Sequence, residues 1–323
     1  MLDRLHPIRD RRSPQHRQRF FMLTLAHMVL MQAGSVLADD GNALFNQMLD
    51  QGIALTDNVT APIPAPTFLD PSGEPVAAPE VEKQLQKLAR AGGIRRFVRN
   101  SAVAPIAIDM ESISNSDGKR IGHLLDVTFV VHASLDLVQD SDALKSLLQN
   151  DSKEDEPDSS GAASQVSAEE LTQLGIHANA ENESFGRIRF PLLDRVLVEG
   201  VFHAETHRQI EGASDDVVTV AWQLDPRFEN SWSPIGRNDL GQETTGEAKP
   251  YQGLGGLITA TRLPAEIAGT DSEGTIVQAR FVVHEPVDWF GGRNQLRSKL
   301  PLIIQDRVRD LRRKLAANHT SPR

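Results

Sequence analysis

Apolar positions along this chain recur with two different periods, and the change from one to the other divides it. In "NALFNQMLDQG", Leu44, Phe45, Met48 and Leu49 fall at helical intervals before Gly52, which predicts a short amphipathic helix with a glycine stop. In "EVEKQLQKLARAGG", Val81, Leu85 and Leu88 share one face and Gly92-Gly93 end the run. Between them, Val59 to Glu80 carries a proline every few residues. Fixed φ and missing N–H groups predict an extended strap there, laid over the main domain.

From Ser101 the period becomes two. Ile106, Ile108 and Met110 alternate with Asp109 and Glu111, and "SDGK" supplies a turn into a second arm. In that arm Ile121, Leu125, Val127, Phe129, Val131, Leu135 and Leu137 face one way, against Asp126, Thr128, His132, Ser134 and Asp136. At about 3.3 Å per residue the run is too long to stay straight, so a bend or bulge is expected near Gly122 or Ala133-Ser134. Further strands are expected at Arg187 to Gln209 with a break near Pro191, and at Val217 to Asp225, Gly253 to Leu263 and Thr275 to Glu285. "DSDALKSLLQ" predicts a short helix, and "SAEELTQLG" another with a Ser167/Glu170 capping box. The stretch between, from about 150 to 167, is acidic and rich in small residues and predicts a disordered loop.

Leu296, Leu300, Ile303, Ile304, Val308, Leu311 and Leu315 form a helical stripe near the end of the chain. Pro301 is harmless only in a first turn, so Ser298 is the expected N-cap of a helix running to about Ala317. The predicted class is α+β: a curved, mostly antiparallel sheet packed against a long C-terminal helix, with short N-terminal helices. Residues 39–100 hold those helices and the strap, 101–317 the α+β domain, and 318–323 a tail.

Ahead of this, six arginines precede the apolar run "FFMLTLAHMVLMQAGSVLA", which ends in Val36-Leu37-Ala38. Residues 1–38 read as an export signal cleaved after Ala38, the alternative being an uncleaved anchor. Cleavage removes six arginines and two aspartates, which moves the formal charge from −10 to −14. So acidic a chain argues against a nucleic-acid partner, which needs clustered cations. There is no cysteine, hence no disulfide, thiolate ligand or cysteine nucleophile. The expected address is periplasm or cell surface, with any membrane contact peripheral.

Candidate chemistry concentrates in "VFHAETH". On that strand Val196, Val198, Phe202 and Ala204 take the core side, and Glu199, His203, Glu205 and His207 the polar side. Cα atoms two apart on a strand are separated by about 7 Å and four apart by about 13 Å. A metal ion holding imidazoles at about 2 Å accepts one adjacent pair of these side chains, so further ligands would come from neighbouring strands. His132 and His284, each ending an "FVVH" string, are the candidates. Three readings stay open: a solvated strand face, the lining of an organic-ligand cavity, or a hydrolytic site with a divalent metal such as zinc and Glu205 as general base. No cofactor is expected outside the last.

"YQGLGGL" leads into a strand and lacks a P-loop lysine, which indicates close chain approach rather than phosphate binding. Trp289 and Phe290, in "HEPVDWFGGRNQLRSK", are either aromatics at the mouth of a ligand site or a plug closing the end of the core.

Two resemblances bear on function. "RRFVRNSAVAPIAI", "GHLLDVTFVVHASLDLV", "VVHEPVDWFGG" and "LRSKLPLIIQDRVRDLRRKL" resemble an exported family of planctomycete-type bacteria, from which no activity or catalytic residue carries over. The element order from about 101 to 317 is similar to the helix-grip plan of START-like and Bet v 1-like lipid-binding proteins. The resulting expectation is an exported, non-enzymatic protein binding a lipid, another apolar small molecule or an envelope protein. A metal-assisted hydrolase and a structural envelope component are the alternatives.

Overall fold

The computed structural model describes residues 42–56, 58–135, 164–179, 182–209, 217–269, 273–291 and 293–319. The leader, the helix expected over 140–149, the acidic loop as far as 163 and residues 320–323 lie outside them. The fold is α+β with a large antiparallel sheet and a C-terminal helix. No helix among the described residues is long and apolar enough to cross a membrane.

Helix α1 (Ala43–Gln51) is followed by a hairpin of β1 (Ile53–Thr56) and β2 (Val59–Ala61), then by the proline-rich strap. Helix α2 (Ala78–Ala89) starts inside the predicted strap, because Pro79 sits in its first turn where a missing N–H costs nothing. A single turn, α3 (Ile94–Phe97), leads to β3 (Ala107–Ser114) and β4 (Arg120–Val131). Strand β5 (Ser164–Gln165) occupies the end of the segment expected to be disordered, because it pairs with Gly186 and Arg187. Helix α4 (Ala168–Gln173) carries the predicted Ser167 cap, whose hydroxyl accepts the Glu170 N–H.

Strands β6 (Glu183–Leu192) and β7 (Val196–Gln209) form a hairpin, and β8 (Val217–Leu224) follows. The break falls at Leu193 and Asp194, both in the left-handed region, and Pro191 stays within β6 opposite Leu197. Strands β9 (Ser231–Arg237), β10 (Glu243–Thr245) and β11 (Lys249–Pro250) precede β12 (Leu254–Arg262), short helix α5 (Ala265–Ala268), β13 (Thr275–His284) and helix α6 (Gln295–His319).

The main sheet runs β3-β4-β13-β12-β8-β7-β6. One edge of β7 is shared, its residues 202–209 pairing with β8 and 196–199 with β9. At the change of partner the Asn230 side chain takes the place of a strand, its Oδ1 accepting the Val201 N–H at 2.9 Å. A Cβ on Gly200 would stand 2.3 Å from that oxygen, which explains the glycine.

Helix α6 covers one face of the sheet. Leu296, Leu300, Ile304, Val308 and Leu315 pack on Leu125, Val127 and Phe129 of β4, Phe281 of β13, Trp222 of β8 and Phe202 of β7. The helix begins three residues before the predicted cap, with Pro301 inside it, and the Ser298 hydroxyl donates back to the Gln295 carbonyl. Full burial of Leu296 offsets the one hydrogen bond that Pro301 removes. The bulge expected near Gly122 is present, where the β3–β4 register shifts around Ile121. That extra residue turns Ile121 onto the face opposite Leu125, a correction to the simple alternation.

The opposite face is covered as well, and the sheet is not strongly curved. Leu44, Phe45 and Met48 of α1, Ile53 and Leu55 of β1 and Ile63 of the strap pack on Val217, Ala221, Leu257 and Val282. Beside them, Val81 and Leu85 of α2 pack with Phe68, Val130 and Ile276. The strap is held by Arg280, which donates to Asp126 at 2.7 Å, to the carbonyls of Pro64 and Ala65, and to the Thr67 hydroxyl at 2.6 Å. Gln278 accepts the Thr67 N–H at 2.8 Å. Arg280→Met leaves these carbonyls without their donor, and denaturant unfolding should show a loss of about 2–4 kcal/mol, with amide exchange accelerating at Thr67.

Candidate functional site

In β7 the apolar half of the predicted pattern holds: Val196, Val198, Phe202 and Ala204 are buried on the α6 side. The polar half divides: Glu199 is partly exposed and ion-pairs with Arg189 at 2.9 Å, His203 and His207 are half-buried, and Glu205 does not face water. Glu205 is 5% exposed and lies beneath the first turn of α1. Its Oε1 accepts the Ala43 N–H at 3.0 Å and its Oε2 the Leu44 N–H at 2.8 Å. Asn42 caps the same helix by accepting the Phe45 N–H at 2.7 Å, while its Nδ2 donates to the Glu205 carbonyl at 2.9 Å. A carboxylate is favoured at a helix N-terminus, where unpaired N–H groups and the helix dipole point at it. Glu205 thus docks α1, and both of its oxygens are occupied.

His203 stacks on Phe185, with centroids 4.5 Å apart and planes 2° from parallel, and bonds to Glu183 at 3.2 Å. That hydrogen bond holds the Glu183 carboxyl below its ordinary value, against an opposing effect of burial. His207 is half-buried at the level of Thr219 on β8. His132 donates to the Val98 carbonyl at 2.7 Å. His284 pairs across to Gly122, ten residues back along β4, so the two "FVVH" histidines stand about 33 Å apart. The β7 histidines lie three strands from β13, or about 14 Å. His203, Glu205, His207, His132 and His284 are not brought together, and no group of three or more His, Asp or Glu among the described residues is arranged to hold a metal ion.

A comparison with family models and with curated proteins finds no match for the chain.

Trp289 and Phe290 are 5% and 7% exposed. Trp289 meets Tyr251 at 5.1 Å, Trp232 at 6.0 Å and Phe290 at 6.0 Å, closing the end of the core under α6. The two rings thus form a buried aromatic plug at that end of the core. Beside this cluster is a buried hydrogen-bonded pair not among the sequence candidates. His123, 0% exposed, bonds through Nε2 to Glu285 Oε2 at 2.7 Å, and Arg120 donates to Oε1 at 3.1 Å. The signal was present, since His123 shares the parity of Leu125 and Val127 on the apolar face. Almost wholly shielded from solvent, the pair ties β4 to the chain leaving β13.

The described concavities lie at the periphery. The larger, about 690 Å³, is an open groove between β1, the loop from β8 to β9, and β11, lined by Leu55, Phe228, Asn230, Lys249, Tyr251 and His284. The Tyr251 hydroxyl donates to the His284 carbonyl at 3.0 Å, and burial pushes its phenol well above the ordinary range. His284 stacks on Tyr251, donates from Nδ1 to the Gln252 carbonyl at 3.2 Å, and is held below its ordinary 6.5 by burial. The glycines of "YQGLGGL" serve this corner by close approach: Gly253 lies against Leu55, and a Cβ on Gly256 would come within 2.4 Å of the Arg280 carbonyl. The second groove, about 480 Å³, runs between β3 and the C-terminal end of α2.

Two outcomes are expected. Glu205→Gln sets an amide NH₂ against one helix N–H, so stability should fall by about 1–3 kcal/mol, with faster amide exchange confined to Ala43–Phe45. For His284 the folded imidazole resists protonation more than the unfolded one. Its contribution is therefore full above pH 6.5 and is lost as pH falls from there towards the lower folded value. Thermal unfolding of His284→Phe should accordingly vary less between pH 5 and 7.5 than that of the parent.

Proposed function

We propose that the chain is an exported, non-enzymatic binding protein that holds an extended segment of an envelope partner in the 690 Å³ groove. The observation that carries this reading is the composition and openness of the groove. It offers the partly exposed rings of Phe228 and His284, the latter backed by buried Tyr251, beside the side chain of Lys249. Aromatic faces with a few placed polar groups suit a peptide's side chains and main chain together. A lipid between sheet and helix is less well supported, because Leu296, Leu300, Trp222 and Phe202 fill that layer. The commitment of Glu205 to helix α1 likewise weakens the metal-assisted alternative.

Export predicts a mature chain beginning at Asp39, to be read as the intact mass of protein recovered from the envelope of its host. In the same cells, a photo-crosslinking residue at Phe228 should capture one discrete partner, while the same probe at exposed Leu302 on α6 captures none. Native mass spectrometry gives the competing outcomes. A retained lipid-sized adduct would replace the partner reading with ligand binding, and a stoichiometric metal would favour the hydrolase.

A further inference from the structure

Strand β3 pairs with β4 and, among the described residues, with nothing on its other side. It is an eight-residue edge with main-chain donors and acceptors available for another strand. The 480 Å³ groove lies alongside it, floored by Asp126 and Thr128 of β4 and walled by Leu88 and Arg90. Thr128, in the lining of that groove, is 1% exposed, and its buried hydroxyl has no hydrogen-bond partner. A buried hydroxyl left unpaired is costly, which makes it a mark of a missing neighbour.

Register decides what the neighbour carries. Ala107, Asp109 and Glu111 lie on the groove side of β3, opposite Thr128, Asp126 and Leu124, while Ile108 and Met110 lie on the α6 side. Asp109 and Glu111 are exposed and have no cationic partner among the described residues. A second copy fits poorly. Antiparallel self-pairing centred at 109, 110 or 111 sets Asp109 on Asp109, Asp109 on Glu111, or Glu111 on Glu111, and like charges directly opposite repel.

We propose that the β3 edge accepts, by strand addition, an extended segment of a partner protein with lysine or arginine alternating with apolar residues. Its cations lie along Asp109 and Glu111, and one of them reaches over the small Ala107 side chain to donate to the Thr128 hydroxyl. Its apolar residues extend the surface of Ile108 and Met110. The proposal rests on the partner-binding reading but uses a different surface from the groove at Phe228.

The probe is a nine-residue capped peptide of alternating valine and lysine, added to the full chain, with hydrogen exchange and binding anisotropy as readouts. Slowed exchange at Ala107–Ser114 is expected. Asp109→Lys combined with Glu111→Lys should weaken binding by about tenfold or more. Thr128→Val should weaken it by about fivefold with an unchanged or higher Tm, because the variant removes an unpaired hydroxyl from the free protein. Unslowed exchange at β3, equal binding of a valine–glutamate peptide, or full affinity in either variant overturns the proposal. So does a homodimer that protects β3. Crosslinking at Phe228 reads the other groove, so loss of one signal with the other intact separates the two readings.

Discussion

The carboxylate of Glu205 has to be satisfied in a place where water scarcely reaches, and the N-terminal turn of α1 is what satisfies it. The rest of the second layer follows from that contact. With α1 seated on β7 and β8, the β1–β2 hairpin and the strap are directed across β12, β13 and β4, and the sheet is closed on both faces. The same logic recurs with opposite charge. Arg280 supplies donors to the carbonyls of the strap, and Arg312 of α6 supplies them to Val130 at 2.9 Å and Ala104 at 2.6 Å. Irregular segments have no ladder to take up their main-chain groups, so buried side chains must do it. Burial lowers the Arg312 pKa to about 10, still well above neutral pH, so the guanidinium remains charged there.

These commitments shape what the molecule is able to do. Glu205, the most chemical-looking of the sequence candidates, docks α1, while His123 with Glu285 ties β4 to the chain leaving β13 and Arg280 with Asp126 holds the strap. The open surfaces lie at the periphery, where an aromatic-lined groove and a strand edge unpaired among the described residues lie at different margins of the sheet. The buried ion pairs cost desolvation, which their neighbours must offset by hydrogen bonds to both carboxylate oxygens, as Glu285 obtains from His123 and Arg120.

Much of the fold was legible from periodicity. The alternation in β4 from Leu125 to Val131, the apolar stripe of α6, the helix at Leu44 to Leu49 and the Ser167 cap follow from local rules that tertiary contacts did not override. The failures are also physical. Strand β9 was missed because Pro234 and Gly236 interrupt its pattern, and it is a strand only because β7 leaves it an edge. The Ser298 cap was wrong because burial of Leu296 extends the helix past a locally sensible boundary. The candidate site was less legible, because alternation tells which residues share a face and not what covers that face.

By itself, then, the sequence determined the class of the fold, the α6-facing side of β3, of β4 beyond its bulge, of β7 and of the end of β13, and the absence of any cysteine chemistry. Those properties depend on residue type and on spacings of a few positions. Whether the other side of β7 met water, metal or protein depended on a segment more than 160 residues away, whose Asn42 and Ala43 contact Glu205 across separations of 163 and 162 positions. No local pattern encodes such a meeting, because it arises from the burial of α1 as a whole and from the need to pair every polar group that this burial encloses.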